Sequence, residues 1–165
     1  LESSADKITM IQLADDFGTQ KGLMISPEMF QEFFAPSMKR LINLAHSYKV
    51  KVFFHSCGSI IDIIPDLIET GIDVLDPLQP RAKGMIPQEL KRRFGDKLCF
   101  HGSIDVQRTL PYGTPEEVKR EVKDRIEVLG PGGGFILASS HNIQPDTPVE
   151  NIIAMYETAL EEGTY

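Results

Sequence analysis

The stretch Val50-Lys51-Val52-Phe53-Phe54, continued through residues 59–69 to Gly71-Ile72-Asp73-Val74-Leu75, reads as strand, helix, strand. The first and last pieces are short apolar runs rich in β-branched and aromatic residues, bounded by polar or turn residues. Ser59 with Asp62 is a helix-start signal, and Gly71 is a helix-stop signal. Two strands joined by a helix run parallel, so this unit predicts a parallel sheet. Working outward, the same alternation recurs. Upstream, Ile8-Thr9-Met10-Ile11-Gln12-Leu13 is a strand that stops at Asp15-Asp16, and Ser26-Pro27-Glu28 opens a helix. The spacing places Phe30, Phe34, Leu41 and Ala45 on one face of that helix, with a kink at Pro36. Downstream come a helix over residues 87–94, the strand Leu98-Cys99-Phe100, and the strand Gly134-Phe135-Ile136-Leu137. Thr114-Pro115-Glu116-Glu117 and Thr147-Pro148-Val149-Glu150 both fit the capping-box pattern and predict two further helices. Pro131-Gly132-Gly133-Gly134 precedes a strand, carries no lysine and opens no helix, so it reads as a turn and not as a phosphate cradle. Five strands alternating with five helices leave two architectures, an open doubly wound sheet or part of a (β/α)8 barrel. A whole barrel takes about 250 residues, and this chain has 165.

A chain of that length can bury a core without disulfides or a structural metal, and it reads as one domain over residues 1–165. Its 17 basic against 24 acidic residues, net charge -7, with no basic run longer than Lys91-Arg92-Arg93, argue against nucleic acid or an anionic membrane as partner. No run approaches the ~18 apolar residues of a membrane span. Leu1-Glu2-Ser3-Ser4-Ala5-Asp6 lacks the basic-then-apolar pattern of a secretion signal, and the two cysteines, Cys57 and Cys99, are too few for a disulfide scaffold. The cytoplasm is therefore the expected compartment. The chain opens at Leu1 and not at Met, close to a strand, which suggests a fragment.

In either parallel architecture a ligand sits at the carboxyl ends of the strands, so the residues following each strand matter most. They are Asp15 and Asp16; His55-Ser56-Cys57; Asp76, Gln79 and Arg81; His101 and Asp105; and Ser139-Ser140-His141-Asn142. His46 falls inside the first helix and reads as a surface or packing residue, and Cys99 as a small core hydrophobe. Asp73 and Asp105 also suit turn or helix caps. His55 and Cys57 are two apart, which on an extended chain points both side chains the same way. Imidazole with thiolate suits zinc, and a third ligand would leave one position open for substrate or water. His141 is the third candidate, because His101 is followed by a Gly102-Ser103 turn. A hydrogen-bonded polar pocket without metal is the competing reading.

Four segments in order, Asp15-Asp16-Phe17-Gly18-Thr19-Gln20-Lys21-Gly22, Val52-Phe53-Phe54-His55-Ser56-Cys57-Gly58-Ser59, Phe100-His101-Gly102-Ser103-Ile104-Asp105 and Ser140-His141-Asn142-Ile143-Gln144-Pro145-Asp146, resemble the carboxyl-terminal half of the uroporphyrinogen decarboxylase superfamily. The resemblance implies a partial (β/α)8 barrel of about five parallel βα units that lacks the amino-terminal strands. It also implies one of two chemistries. Decarboxylases of the superfamily remove acetate carboxyls of a tetrapyrrole without metal; its cobamide-dependent methyltransferases use zinc to activate a thiol towards a methyl-corrinoid. His55-Ser56-Cys57 resembles the H-x-C zinc motif of the methyltransferases. His141 falls where they carry a zinc-binding cysteine and where the decarboxylases carry an active-site histidine. The second cysteine is missing, and histidine is a competent replacement ligand.

The resemblance therefore favours a zinc-dependent, corrinoid-linked methyltransferase-like enzyme. His55, Cys57 and His141 would hold Zn²⁺, with His141, Asp15 and Asp16 as catalytic candidates and Gln79, Arg81, His101 and Asp105 facing substrate. The expected partner is a tetrapyrrole or corrinoid, the latter free or carried on a corrinoid protein. One alternative is a metal-free carboxy-lyase acting on a tetrapyrrole through His141. Against it, the decarboxylases' clamping arginines and central aspartate belong to the half not represented here. The other alternative is a non-catalytic tetrapyrrole-binding or assembly module. Half a barrel exposes sheet edges, which predicts a homodimer or pairing with the missing half.

Overall fold

A computed structural model describes residues 7–163; the opening segment Leu1-Glu2-Ser3-Ser4-Ala5-Asp6 lies outside the described residues. The chain forms two compact units, one of Leu1–Asp76 with Ala82–Gly84 and the other of Pro77–Arg81 with Met85–Tyr165.

The first unit begins with strand β1 (Met10–Ala14), followed by a turn of helix α1 (Pro27–Met29), a π-helical segment (Phe30–Phe34) and helix α2 (Ala35–Ser47). Ser26 caps α1 as its sequence predicts, its hydroxyl accepting from the Met29 N–H. The predicted kink at Pro36 is replaced by the π segment, and Pro36 sits in the first turn of α2, where its missing N–H costs no helical bond. This changes the buried face. A π-turn takes in one extra residue, so the stripe running from Phe30 continues through Met38, Ile42 and Ala45. Leu41, expected inside, is 52% exposed while Ile42 is fully buried.

Strand β2 (Lys51–His55) buries Val52 and Phe54. A 3-10 turn (Ile61–Ile63) and helix α3 (Ile64–Thr70) follow, ending at Gly71 as predicted. The expected Ser59 and Asp62 start signal does not cap this helix; Ser59 is buried and its N–H donates to the Thr19 carbonyl. Asp73 accepts from His46 Nε2, Lys51 Nζ and the Val52 N–H at 2.7–2.8 Å, clipping the end of α2 to the start of β2. Strand β3 (Val74–Leu78) is longer than its sequence suggested and takes in Asp76.

The second unit holds helix α4 (Pro87–Phe94, as predicted), strand β4 (Cys99–Ile104), helices α5 (Thr109–Tyr112) and α6 (Pro115–Leu129), strand β5 (Phe135–Ser139) and helix α7 (Val149–Glu162). The Thr114/Glu117 capping box forms in full. The Thr147 box does not, because Thr147 is buried and α7 starts one residue later, after Pro148. β4 runs through the expected turn His101-Gly102-Ser103; Gly102 and Ser103 keep turn-like φ values of 99° and 79° while the ladder to β5 continues past them. Gly132, Gly133 and Gly134 all have φ near +75°, a run that only glycine enters without strain, which makes the segment a turn. Cys99 is half-buried. Ile104, Leu110, Val118, Val122, Ala154 and Met155 form the core of this unit.

The five parallel strands form one sheet in the order β1-β2-β3-β4-β5. Each strand lies beside its sequence neighbours, with none of the order reversal that defines a doubly wound sheet. This is the order of a (β/α)8 barrel, present here as five βα units. Among the described residues no helix is long and apolar enough to cross a membrane.

The π-shifted register gives opposite expectations for two adjacent leucine-sized residues. Ile42→Ala should cost about 2–5 kcal/mol in urea or thermal unfolding, and Leu41→Ala no more than ~0.5 kcal/mol. Equal costs would mean that the helix keeps a plain α-helical phase.

Candidate metal centre

The parallel register brings the candidate residues of the first unit together. Ala14 of β1 pairs with His55, and His55 pairs with Asp76 across β2 and β3. Side chains opposite one another on neighbouring strands share a face, so His55 and Asp76 meet directly. Asp76 Oδ2 bonds His55 Nδ1 at 2.5 Å. The other ring nitrogen, Nε2, lies 3.3 Å from Cys57 Sγ and 3.7 Å from Asp16 Oδ1.

Asp16 reaches this point because the loops after β1 and β2 are locked together. The Phe17 N–H donates to Ser56 Oγ, whose side chain is fully buried, and the Cys57 N–H donates to Asp16 Oδ1 at 2.8 Å. The Phe17 ring packs edge-on against Phe30 and Phe34, with centroids 5.1 and 5.0 Å away, anchoring the loop in the core. Gly18 and Gly58 meet backbone to backbone. A Cβ on Gly58 would lie 2.6–2.7 Å from Gly18 and Thr19 backbone atoms, at a φ of +83° that already favours glycine.

Among the described residues, Asp16, His55 and Cys57 present ligand atoms that all lie within 4.8 Å of one another. Their oxygen, nitrogen and sulfur donors suit zinc. The Asp76–His55 bond is the carboxylate–histidine arrangement that fixes a ligating imidazole, holding the proton on Nδ1 and directing Nε2 towards a cation. The donor chemistry therefore fits a metal ion. Asp76 was legible in the sequence only as a polar residue near a strand end, since its role depends on the strand register.

The electrostatics follow from the carboxylates. The bond to Asp76 raises the His55 pKa against the opposing effect of burial, helped by the negative charges of Asp76 and Asp16. Burial, then the charges of Asp16 and Asp76, push the Cys57 thiol up to about 11. In the metal-free chain Cys57 is thus a thiol at neutral pH.

The remaining candidates belong to the second unit, apart from Asp15, which is exposed and whose N–H donates to the His55 carbonyl. Gln79 is buried. Arg81 Nε lies 3.4 Å from Asp105 Oδ2, and the Gln107 N–H donates to Asp105 Oδ1, so the turn-cap reading of Asp105 holds. His101 is half-buried within β4. His141 is exposed, and its carbonyl accepts from Ser139 Oγ.

The raised His55 value sets a pH dependence. The fold favours the protonated imidazole, so the His55–Asp76 contribution to stability is fully present below the ordinary pKa of 6.5 and is lost as pH rises through the folded value. Proton NMR titration of the metal-free chain should find a His55 midpoint above 6.5, and Asp76→Asn should bring it down. An unchanged midpoint in that variant would show that Asp76 does not control the imidazole.

Comparison with known proteins adds the family. The model for uroporphyrinogen decarboxylase (URO-D) matches residues 5–161. A uroporphyrinogen decarboxylase of Magnetococcus marinus is 25% identical over 159 residues, covering 92% of this chain and 42% of that protein. A methylcobamide:CoM methyltransferase of Methanosarcina barkeri is 29% identical over 155 residues, covering 94% and 41%. The structure of a methyltransferase from Methanosarcina mazei shares the fold, with a TM-score of 0.74 at 24% identity over 94% of this chain and 42% of that one. The chain thus spans less than half the length of these relatives, and both decarboxylases and corrinoid methyltransferases stand among them. A match over nearly the whole chain, on a sheet with barrel strand order, shows that the chain belongs to the uroporphyrinogen decarboxylase family.

Proposed function

We propose that this chain carries the metal-binding part of a zinc-dependent, corrinoid-linked methyltransferase-like enzyme. The observation that carries the reading is the orientation of His55. Its Nδ1 is bound to Asp76, and its Nε2 is turned towards Cys57 Sγ and Asp16 Oδ1. A carboxylate-bound histidine also serves metal-free acid–base chemistry; the sulfur and oxygen donors gathered at Nε2 are what favour a metal. Relatives named methylcobamide:CoM methyltransferase and uroporphyrinogen decarboxylase match alike, so the choice between them rests on the donor set.

In this reading His55 and Cys57 hold Zn²⁺ with Asp16 as the oxygen ligand, and a fourth position is left for His141, the third ligand expected from the sequence, or for substrate. Bound zinc would lower the pKa of a coordinated thiol, so that the thiolate is available near neutral pH. Asp76 keeps the His55 proton on Nδ1, so that Nε2 is the nitrogen that would ligate. Asp16 also accepts the Cys57 N–H, so one carboxylate both offers an oxygen and sets the position of the sulfur. The two carboxylates that raise the Cys57 thiol would offset the charge of a dication in its place. Asp15 and His141 are proposed to face the reacting groups, and Gln79, Arg81, His101 and Asp105 the rest of the substrate, a corrinoid or another tetrapyrrole.

Zinc added to the metal-free chain and freed of excess should remain at near one ion per chain. Its uptake at pH 7 should release about one to two protons, from Cys57 and from the protonated fraction of His55. Affinity should therefore rise with pH. Asp76→Asn should weaken binding by about 10–100-fold, and Cys57→Ser more severely. Undiminished stoichiometric zinc in Cys57→Ser would remove the sulfur from the ligand set. No zinc uptake, together with decarboxylation by a chain that includes the amino-terminal half, would favour the carboxy-lyase reading instead.

Association is proposed on a separate ground. Among the described residues β1 and β5 are the end strands of the sheet order and each has one strand neighbour, leaving edges that attract further strands. Sedimentation should show dimers accumulating with concentration, and a monomer throughout would contradict this.

A further inference from the structure

We propose that a cavity within the second unit, lined by Arg81, Arg108, Thr109, Tyr112, Gly113 and Glu117, binds the oxyanion group, carboxylate or phosphate, of a small molecule. The cavity measures about 310 Å³, the small end of the range for ligand sites. The proposal adds a substrate-side feature to the methyltransferase-like reading and does not depend on zinc.

Two guanidinium groups line this space, and each is left available in a different way. Arg81 is held through its Nε by Asp105, a buried carboxylate whose other oxygen is engaged by the Gln107 N–H. That grip leaves the terminal edge of the guanidinium, with its two NH₂ groups, as the part able to meet a ligand. Among the described residues the Arg108 side chain makes no hydrogen bond and no ion pair within 4.0 Å. The nearby acid, Glu117, is already committed: its Oε2 accepts the Thr114 N–H and hydroxyl at 2.8 and 3.1 Å, and its Oε1 lies 4.0 Å from Arg120. Paired guanidinium groups suit carboxylate and phosphate oxygens because their planar donors can engage two oxygens at once.

The wall of the cavity is fixed in advance. Asn151 is buried, and its amide donates to the carbonyls of Leu110 and Gly113, both at 2.8 Å. The Leu110 N–H donates to the Asp105 carbonyl, and the Tyr112 hydroxyl donates to Asp146 Oδ2 at 3.2 Å. α5 is therefore secured from β4, from α7 and from the loop after β5 at once. A wall ordered before the ligand arrives spares the ligand that entropic cost. The two arginines are also local exceptions in a chain of net charge -7, which repels anions at long range.

Calorimetric titration of the metal-free chain at low ionic strength, with inorganic phosphate and with succinate as separate probes, tests the site. Saturable binding of at least one probe, one equivalent per chain and weakened by added salt, is expected, and the tighter probe identifies the preferred oxyanion. Arg108→Gln should weaken that binding about tenfold or more, while Arg108→Lys retains part of it. Because the Arg108 side chain makes no hydrogen bond among the described residues and interacts with Glu117 only through its charge, Arg108→Gln should keep the wild-type circular dichroism and zinc uptake. No saturable binding of either probe, or equal binding by wild type and Arg108→Gln, would overturn the proposal. Zinc loss in Cys57→Ser with probe binding intact would show the two sites to be separate; failed zinc uptake by wild type would strike only the metal reading.

Discussion

Parallel pairing of β1, β2 and β3 is the constraint on which the candidate site depends. Because the strands run the same way, their carboxyl ends and the loops that follow come out side by side. The register sets His55 against Asp76 on one flank and against Ala14 on the other. Everything after those residues is then a matter of how closely two loops approach. Gly18 and Gly58 remove the side chains that would hold them apart, and the Phe17 ring and the buried Ser56 hydroxyl pin the first loop to the core. Asp16, Cys57 and His55 converge as a result of backbone packing. Their attraction for one another is not needed to explain it; two of the three are repelled by negative charge when deprotonated.

A half-buried thiol between two carboxylates is held in its protonated form, and an imidazole bonded to one of them has its pKa raised. An arrangement that favours protons in this way is one that favours a cation in their place, provided the ligands can give those protons up. In the second unit two arginines line a small cavity beside α5, Arg81 held by Asp105 and the Glu117 carboxylate engaged by Thr114.

Much of the local structure was legible in the residues. Ser26 with Pro27, the Thr114 box, Gly71 and the helix beginning at Pro87 depend on contacts within a few positions, and each takes the form its residue types favour. The failures were of another kind. Thr147 has the same cap pattern as Thr114, but it is buried, and α7 begins beyond it without a side-chain cap. The face containing Leu41 follows from an α-helical period, and the π segment moved burial to Ile42 by inserting one residue into the turn. Gly102-Ser103 has turn-like dihedrals, as its composition suggested, yet pairing with β5 keeps it inside a strand.

The sequence by itself determined the succession of strands and helices, the positions of Asp16, His55 and Cys57 at strand ends, and a resemblance that named the right family. Those features rest on short-range periodicity, on turn chemistry and on ordered motifs, all of which are carried in neighbouring residues. Tertiary structure decided which architecture the succession adopts, by setting the strands in unbroken order. It also decided that Asp76 orients His55, and that Asp16 joins His55 and Cys57. Those pairings connect residues 21 to 41 positions apart, and they exist only once strand register and the approach of glycine backbones have been settled by packing.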